Sequence, residues 1–275
     1  MKYISYGREL AHLLEWPNSM YKEKLYGLHA VMAALEGRRR RIDKVFVDSQ
    51  RRDMAIQEII SRAAQRGISV EMVTSARLQH LLGHSHHQGV VAFVEPLGLH
   101  TYSDVTASLS SEQRPCTIVL LDEVTDAGNF AALLRSAVAF GVEVILLPRH
   151  RSVTLTPTVA KRSAGAVECV SIVQVANVAR TLDDLKDEGF WVYGADMRAT
   201  TPVSQVEWPD RLVLVLGAEG RGIRRIVREH CDALVHVPMR SGLDSLNVAV
   251  AGAIILAYIW DWHANKTISK AHTSV

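Results

Sequence analysis

Residues 212–222 read Leu212-Val213-Leu214-Val215-Leu216-Gly217-Ala218-Glu219-Gly220-Arg221-Gly222. Five consecutive apolar residues leave no polar face, so the run predicts a strand covered on both sides. The glycines that follow predict a tight turn from that strand into a helix. In open α/β sheets, ligands gather beyond the carboxyl ends of the strands. Glu219 is therefore a carboxylate held between glycines where a cleft belongs. The glycine spacing is GxxGxG, which differs from the dinucleotide fingerprint. No Gly-Lys-Ser/Thr follows, so a P-loop is excluded. Taken alone, the loop is equally well read as a plain strand-to-helix turn.

The same pattern extends on both sides of this stretch. Thr117–Leu121 is a second continuous apolar run, and Val144–Leu147, Val170–Val173, Phe190–Gly194 and Ala233–Val237 read as further strands. Helical periods fall on Asn129–Phe140, Thr158–Ala166, Val178–Glu188 and Ser245–Trp260. This alternation predicts an α/β fold with a mostly parallel sheet covered on both faces. Upstream lies a smaller alternation. It comprises helix Tyr26–Glu36, strand Lys44–Val47, helix Asp53–Arg66 with Asp53 as cap, strand Ile68–Met72, helix Thr74–Leu82 and strand Gly89–Glu95. It predicts a separate small α/β domain. The expected division is an extension over 1–21, the small domain over 22–97, a polar linker over 98–115, the large domain over 116–265 and a tail over 266–275.

Composition narrows the class. The 275 residues are 48% hydrophobic and 22% charged, with a net charge of +2, which is ordinary globular material. Residues 1–97 hold 14 Lys and Arg against 10 Asp and Glu, and the remainder holds 17 against 19. The modest basic bias thus lies in the N-terminal third. Three cysteines without a CxxC pair argue against a disulfide framework or a zinc site. The start shows no signal peptide, and the apolar stretch Val248–Trp260 is too short to span a bilayer. A cytoplasmic protein is expected.

Two further loops follow strand ends. In the first, Asp126-Ala127-Gly128-Asn129, Asn129 is a candidate helix cap, and Arg135 follows in an apolar run where it could simply reach solvent. In the second, Arg240-Ser241-Gly242-Leu243-Asp244 precedes Ser245-Leu246-Asn247-Val248. Ser245 reads as an ordinary cap, which leaves the polar run before it unexplained.

The three loops together resemble the SpoU (TrmH-like) branch of the SPOUT RNA methyltransferases. Asp126, Asn129 and Arg135 match the spacing of the first family motif, Gly217–Gly222 the second, and Ser245–Val248 the third. Ala127 stands where proline is usual and Ala131 where glycine is preferred, which implies a slightly altered loop. The resemblance covers residues 24 to about 260. Tyr26-Gly27-Leu28-His29-Ala30-Val31 and His87-Gln88-Gly89-Val90 make it closest to the members that methylate a guanosine of 23S rRNA. It implies a trefoil-knotted SPOUT methyltransferase domain preceded by an RNA substrate-binding domain, a homodimer, and S-adenosylmethionine as cofactor without a metal. It implies that Arg135, Asn129, Glu219 and Asn247 carry catalysis, and that backbone around Gly217, Val237 and Leu246 holds the cofactor. The family's proposed base matches Arg135, although a free guanidinium has a pKa of about 12.5–13.8. Holding a phosphate and stabilising the developing alkoxide is the alternative role.

The run Arg38-Arg39-Arg40-Arg41 is the candidate RNA contact, against the plainer reading of a solvated charge run. His84, His86 and His87 are expected in an exposed loop rather than on a metal. The competing functions are tRNA ribose methylation and an RNA-binding assembly factor that has lost catalysis.

Overall fold

The computed structural model describes residues 23–37, 39–103, 105–106, 115–240 and 245–273. The expected extension over 1–21, Arg38 and part of the expected linker lie outside the described residues.

The small domain runs β1 (Glu23–Tyr26), α1 (Leu28–Gly37), β2 (Ile42–Asp48), α2 (Met54–Gln65), β3 (Ser69–Val73), α3 (Ser75–Leu82) and β4 (Val90–Val94). Its four strands are ordered β1-β4-β2-β3. The β1–β4 and β4–β2 pairs are antiparallel and β2–β3 is parallel. Asp53 and Thr74 cap α2 and α3 by accepting from the amides of Ile56 and Arg77. Strand β1 occupies residues where the sequence suggests only the approach to a helix. Its four residues are too few to show a period, and its pairing with β4 makes it a strand.

The large domain runs β5 (Cys116–Asp122), α4 (Ala127–Ala139), β6 (Val144–Pro148), α5 (Pro157–Arg162), β7 (Ser171–Val175), α6 (Val178–Asp187), β8 (Trp191–Ala195), β9 (Thr201–Pro202), β10 (Arg211–Gly217), α7 (Arg225–Arg228), β11 (Ala233–His236) and α8 (Val248–Thr273). Its seven strands are ordered β7-β6-β5-β10-β8-β11-β9, and every pair is parallel. All seven residues of β5 are buried. Side chains alternate across the sheet. Val119 and Leu121 join a core with Phe130 and Leu133 of α4 and Ile255 and Ile259 of α8. Ile118 and Leu120 join a second core with Leu182 and Leu185 of α6 and Val227 of α7. Two-sided burial explains why these strands lack a polar face. Helix α8 begins at Val248 rather than Ser245 and continues to Thr273, so most of the expected tail is helical.

The two domains share one apolar core, which also contains Leu25, Val31 and Ile56. At the junction Gly165 has φ +82°, and a β-carbon there would lie 2.3 Å from Ala33 Cβ and 2.8 Å from the carbonyl oxygen of His29. Only glycine lets α1 come this close to the turn after α5. The next turn, Ala166–Glu168, carries a buried carboxylate.

That carboxylate changes the reading of Arg39 and Arg40 within the arginine run. Arg40 pairs with Glu168, their side chains 2% and 0% exposed, and also with Glu23 at 2.8 Å. Arg39 donates to the carbonyls of Val167, at 3.0 Å, and Val170. Burial holds the Arg39 pKa below its ordinary value, with Glu168 opposing the shift. Arg40 is therefore closed to phosphate, and Arg39 is engaged by the large domain. Arg41 is exposed. Arg40 and Arg41 look alike in sequence, and one thing that separates them is the carboxylate that folding brings to Arg40 from 128 residues away.

Removing one partner of a buried ion pair strands the other charge. Arg40→Met is expected to lower unfolding free energy by about 3–5 kcal/mol. Adding Glu168→Leu should recover part of that loss. Urea unfolding of the two variants checks both statements.

Candidate active site

The site forms beyond the carboxyl ends of β5, β10 and β11, as parallel strand order dictates. Asp122 ends β5 in register with Gly217, the last residue of β10. Its carboxylate is completely buried. It accepts from the Arg224 amide at 2.8 Å and from Arg224 Nε at 2.7 Å. This pairing raises the Arg224 pKa above its ordinary value. The chain leaving the glycine loop is thereby tied to the end of the neighbouring strand.

Between these anchors the loop closes on itself. The Gly222 amide donates to Ala218 O at 2.8 Å. Gly220 and Gly222 have φ +75° and +68°, a region that glycine adopts without steric cost. A β-carbon on Gly217 would lie 2.1 Å from the Gly222 carbonyl carbon and 2.2 Å from the Ile223 nitrogen. The tight return presents Glu219 at an exposed tip.

Asn247 joins the three loops. Its Oδ1 caps α8, accepting from the amides of Ala249 at 3.0 Å and Val250 at 3.3 Å. The cap is thus Asn247, not the expected Ser245. Its Nδ2 donates to Asn129 Oδ1 at 2.8 Å and to Glu219 Oε1. An amide group has two N–H donors and an accepting oxygen, and here each is engaged. Asn129 is available because it does not cap α4. Asp126 does so, accepting the Asn129 amide at 2.7 Å.

A cavity of about 300 Å³ opens beside this cluster. Gly217, Val237 and Leu246, the residues expected around a cofactor, all line it, as does Glu219. Arg135 does not. It sits exposed on α4 and makes no hydrogen bond or ion pair among the described residues. The structure therefore brings Asn129, Glu219 and Asn247 together and leaves Arg135 apart.

Sequence reasoning missed one wall. Ala195 at the end of β8 and Asp196, Met197 and Arg198 after it line the cavity, where Asp196 pairs with Arg228 at 2.9 Å. The available signal was strand Phe190–Gly194 itself. Its end becomes part of the site once β8 is known to lie between β10 and β11. No group of three His, Cys, Asp or Glu suited to a metal occurs among the described residues.

A parallel sheet with a glycine-closed loop and an asparagine-bridged mouth defines an α/β enzyme with a ligand cavity at its strand ends. Residues 116–257 match the SpoU rRNA Methylase family, and residues 24–99 match the family described as RNA 2'-O ribose methyltransferase substrate binding. The chain belongs to the SpoU rRNA methylase family. It is 40% identical over 238 residues to the 23S rRNA (guanosine-2'-O-)-methyltransferase RlmB of Ralstonia nicotianae, covering 86% of this chain and 95% of that one. It is 36% identical over 234 residues to the protein of the same description from Coxiella burnetii, covering 85% and 93%. Its fold is shared with the SpoU methyltransferase AviRb of Streptomyces viridochromogenes, solved in complex with AdoMet. The TM-score is 0.72 at 20% identity, over 88% of this chain and 90% of that chain.

Gly217→Ala is expected to open the loop, since the added carbon meets backbone rather than a movable side chain. Overpacking of this kind costs about 1–3 kcal/mol. A fall in the urea midpoint, with an unchanged denaturant slope, is the readout.

Proposed function

We propose that this protein transfers a methyl group from S-adenosylmethionine to the ribose 2′-hydroxyl of a guanosine in 23S rRNA. The observation that carries the proposal is the Asn247 amide, which ties Asn129 and Glu219 together at the mouth of the cavity. Likeness to RlmB proteins over most of both chains supports the substrate.

The cavity fits the cofactor. Apolar side chains of Leu216, Val237 and Leu246 and the backbone of the glycine loop line it, the mixture expected around a nucleoside thioether. Bound there, S-adenosylmethionine supplies an electrophilic methyl group, and its neutral leaving group needs no metal. Gly217, Val237 and Leu246 hold it, while Asn129, Glu219 and Asn247 orient the ribose. Fixing two reactants in line removes much of the entropic barrier.

Arg135 acts on the hydroxyl or its neighbouring phosphate. Its exposure on α4, outside the cavity, supports a site completed by assembly, with one protomer's Arg135 serving the cavity of its partner. Helix α4 packs against α8, which exposes Tyr258 and Trp262, four residues apart on one side of the helix. An exposed aromatic face of this kind supports the homodimer. The reading also carries the family's trefoil knot, an RNA-recruiting role for residues 22–97 with 98–115 as the connection, catalysis by residues 116–265, and a cytoplasmic location. Among the described residues no helix is long and apolar enough to cross a membrane.

The direct test is methylation of 23S rRNA transcript by the purified protein, with the product mapped for ribose methylation. Methylation confined to tRNA, or no transfer at all, would overturn the proposal. Arg135→Lys should lose roughly ten- to a hundredfold in single-turnover rate, because a lost charge-assisted hydrogen bond is worth about 1.5–3 kcal/mol. Lysine retains the charge but not the planar fork. Cofactor affinity, measured by calorimetry, should change little, because the cofactor rests on Gly217, Val237 and Leu246 while Arg135 acts on the hydroxyl or phosphate. Mixing inactive Arg135→Ala and Asn247→Ala proteins should restore activity if the arginine serves the other protomer.

A further inference from the structure

At the domain junction, on the side of α5, a group of aromatic and cationic side chains remains unused by the chemistry described above. The rings of Tyr26 and His84 lie 4.8 Å apart, and those of His84 and His86 5.6 Å apart. Lys161 Nζ sits 4.9 Å from the centre of the Tyr26 ring and donates to the His86 carbonyl at 2.6 Å. Tyr26 and His84 are half-buried and His86 is exposed, so the group is a surface feature rather than core.

Its backbone is held in place. Gln88 adopts φ +52°, a conformation uncommon outside glycine that needs surrounding support. Gln88 Oε1 accepts the Leu28 amide at 3.3 Å, and Arg51 donates to the Gln88 carbonyl at 2.5 Å. His87 turns inward and accepts the Gly89 amide at 3.0 Å. The loop over 84–88 is thereby fixed against the Tyr26–Gly27 turn, with Lys161 on one side and Arg51 on the other.

The group leads to the active site. Lys161 is followed on α5 by Arg162, whose Nη1 lies 3.6 Å from the position a β-carbon on Gly128 would take. The next residue is Asn129, the acceptor of the Asn247 amide. Aromatic side chains backed by cations are the usual means of holding unpaired RNA bases, through stacking and phosphate attraction.

We propose that Tyr26, His84 and His86, with Lys161 beside them, form a stacking subsite for an unpaired nucleotide of the substrate RNA, a short distance along the strand from the ribose at Asn129. The subsite rests on the RNA substrate proposed above. It replaces the arginine run as the principal RNA contact of the small domain, since Arg39 and Arg40 are engaged at the junction. It also gives Lys161 a role on the large domain's side, so both domains grip one strand.

The test uses the full chain and a 23S rRNA transcript. Tyr26→Leu and His86→Ala should each raise the Kd for the transcript about tenfold, within the range for loss of one base–aromatic stack. The loss of methylation should be recovered at saturating RNA. Tyr26→Phe, which keeps the ring, should bind within about twofold of the parent, given that stacking requires only the π-face. Ultraviolet crosslinking of the unaltered protein, followed by peptide mapping, should find RNA on Tyr26 or on residues 84–87. It does not depend on any variant folding. Parental affinity in both ring-removing variants, or crosslinks confined to other segments, would overturn the subsite. A parent that binds the transcript through this surface without methylating it would leave the subsite standing and overturn the enzymatic proposal.

Discussion

The carboxylate of Asp122 ends the central strand in complete burial, and burying an ionised carboxylate costs several kcal/mol unless it is paired. Its partner, Arg224, is the second residue after the glycine loop, and both its backbone amide and its guanidinium are engaged. The loop between Gly217 and Arg224 is therefore fixed at both ends, at one by the β10–β5 ladder and at the other by this pair. With its ends fixed, six residues must turn back within a few ångströms, which is why no side chain fits at Gly217. The tight return carries Glu219 to Asn247. The site geometry thus descends from a charge pair outside the cavity, whose carboxylate is fully buried.

Much of the fold is legible because parallel strands buried on both faces leave a plain trace. Thr117–Leu121 and Leu212–Leu216 are continuous apolar runs, and both are central strands. What stayed hidden depends on contacts distant in sequence. Asn129 and Asp126 are equally good caps by residue type; Asp126 takes the cap, and the Asn129 side chain instead accepts from Asn247, 118 residues away. The same holds for Ser245 and Asn247 at α8. Arg40 differs from Arg41 because Glu168 and Glu23 lie opposite it. The wall after β8 was hidden because strand adjacency is a property of topology rather than of local pattern.

The junction between the domains bears on how the protein handles its substrate. Domains joined only by a polar linker are expected to move relative to one another. Here α1 lies on Gly165 without a side chain between them, and Arg39 and Arg40 bind carbonyls and a carboxylate of the large domain. Breaking that contact would expose Glu168 and two arginines that are otherwise engaged. The small domain is consequently held at a set distance from Asn129. For an enzyme that selects one ribose in a large RNA, a fixed spacing between a recruiting surface and the reacting centre is a ruler. The proposed subsite at Tyr26 and His84 lies on that ruler, because Lys161 and Arg162 are consecutive residues of one helix.

The two halves of the candidate site are built from different material, and the difference has a chemical consequence. The cavity proposed for the cofactor is formed largely by backbone and apolar side chains on strand ends, so it exists before any substrate arrives. Most groups proposed for the ribose are exposed in the single chain, with Asn129 half-buried, Glu219 and Asn247 open to water and Arg135 standing apart on α4. Preorganised dipoles stabilise developing charge strongly only where water is excluded. On the proposed reading, Glu219, Asn247 and Arg135 therefore act weakly until the RNA, and a second protomer, cover them. Methyl transfer to water or to a stray hydroxyl is then disfavoured by the same exposure, since the donor side is complete while the acceptor side is not. Selectivity for one ribose follows from requiring the substrate to finish the site.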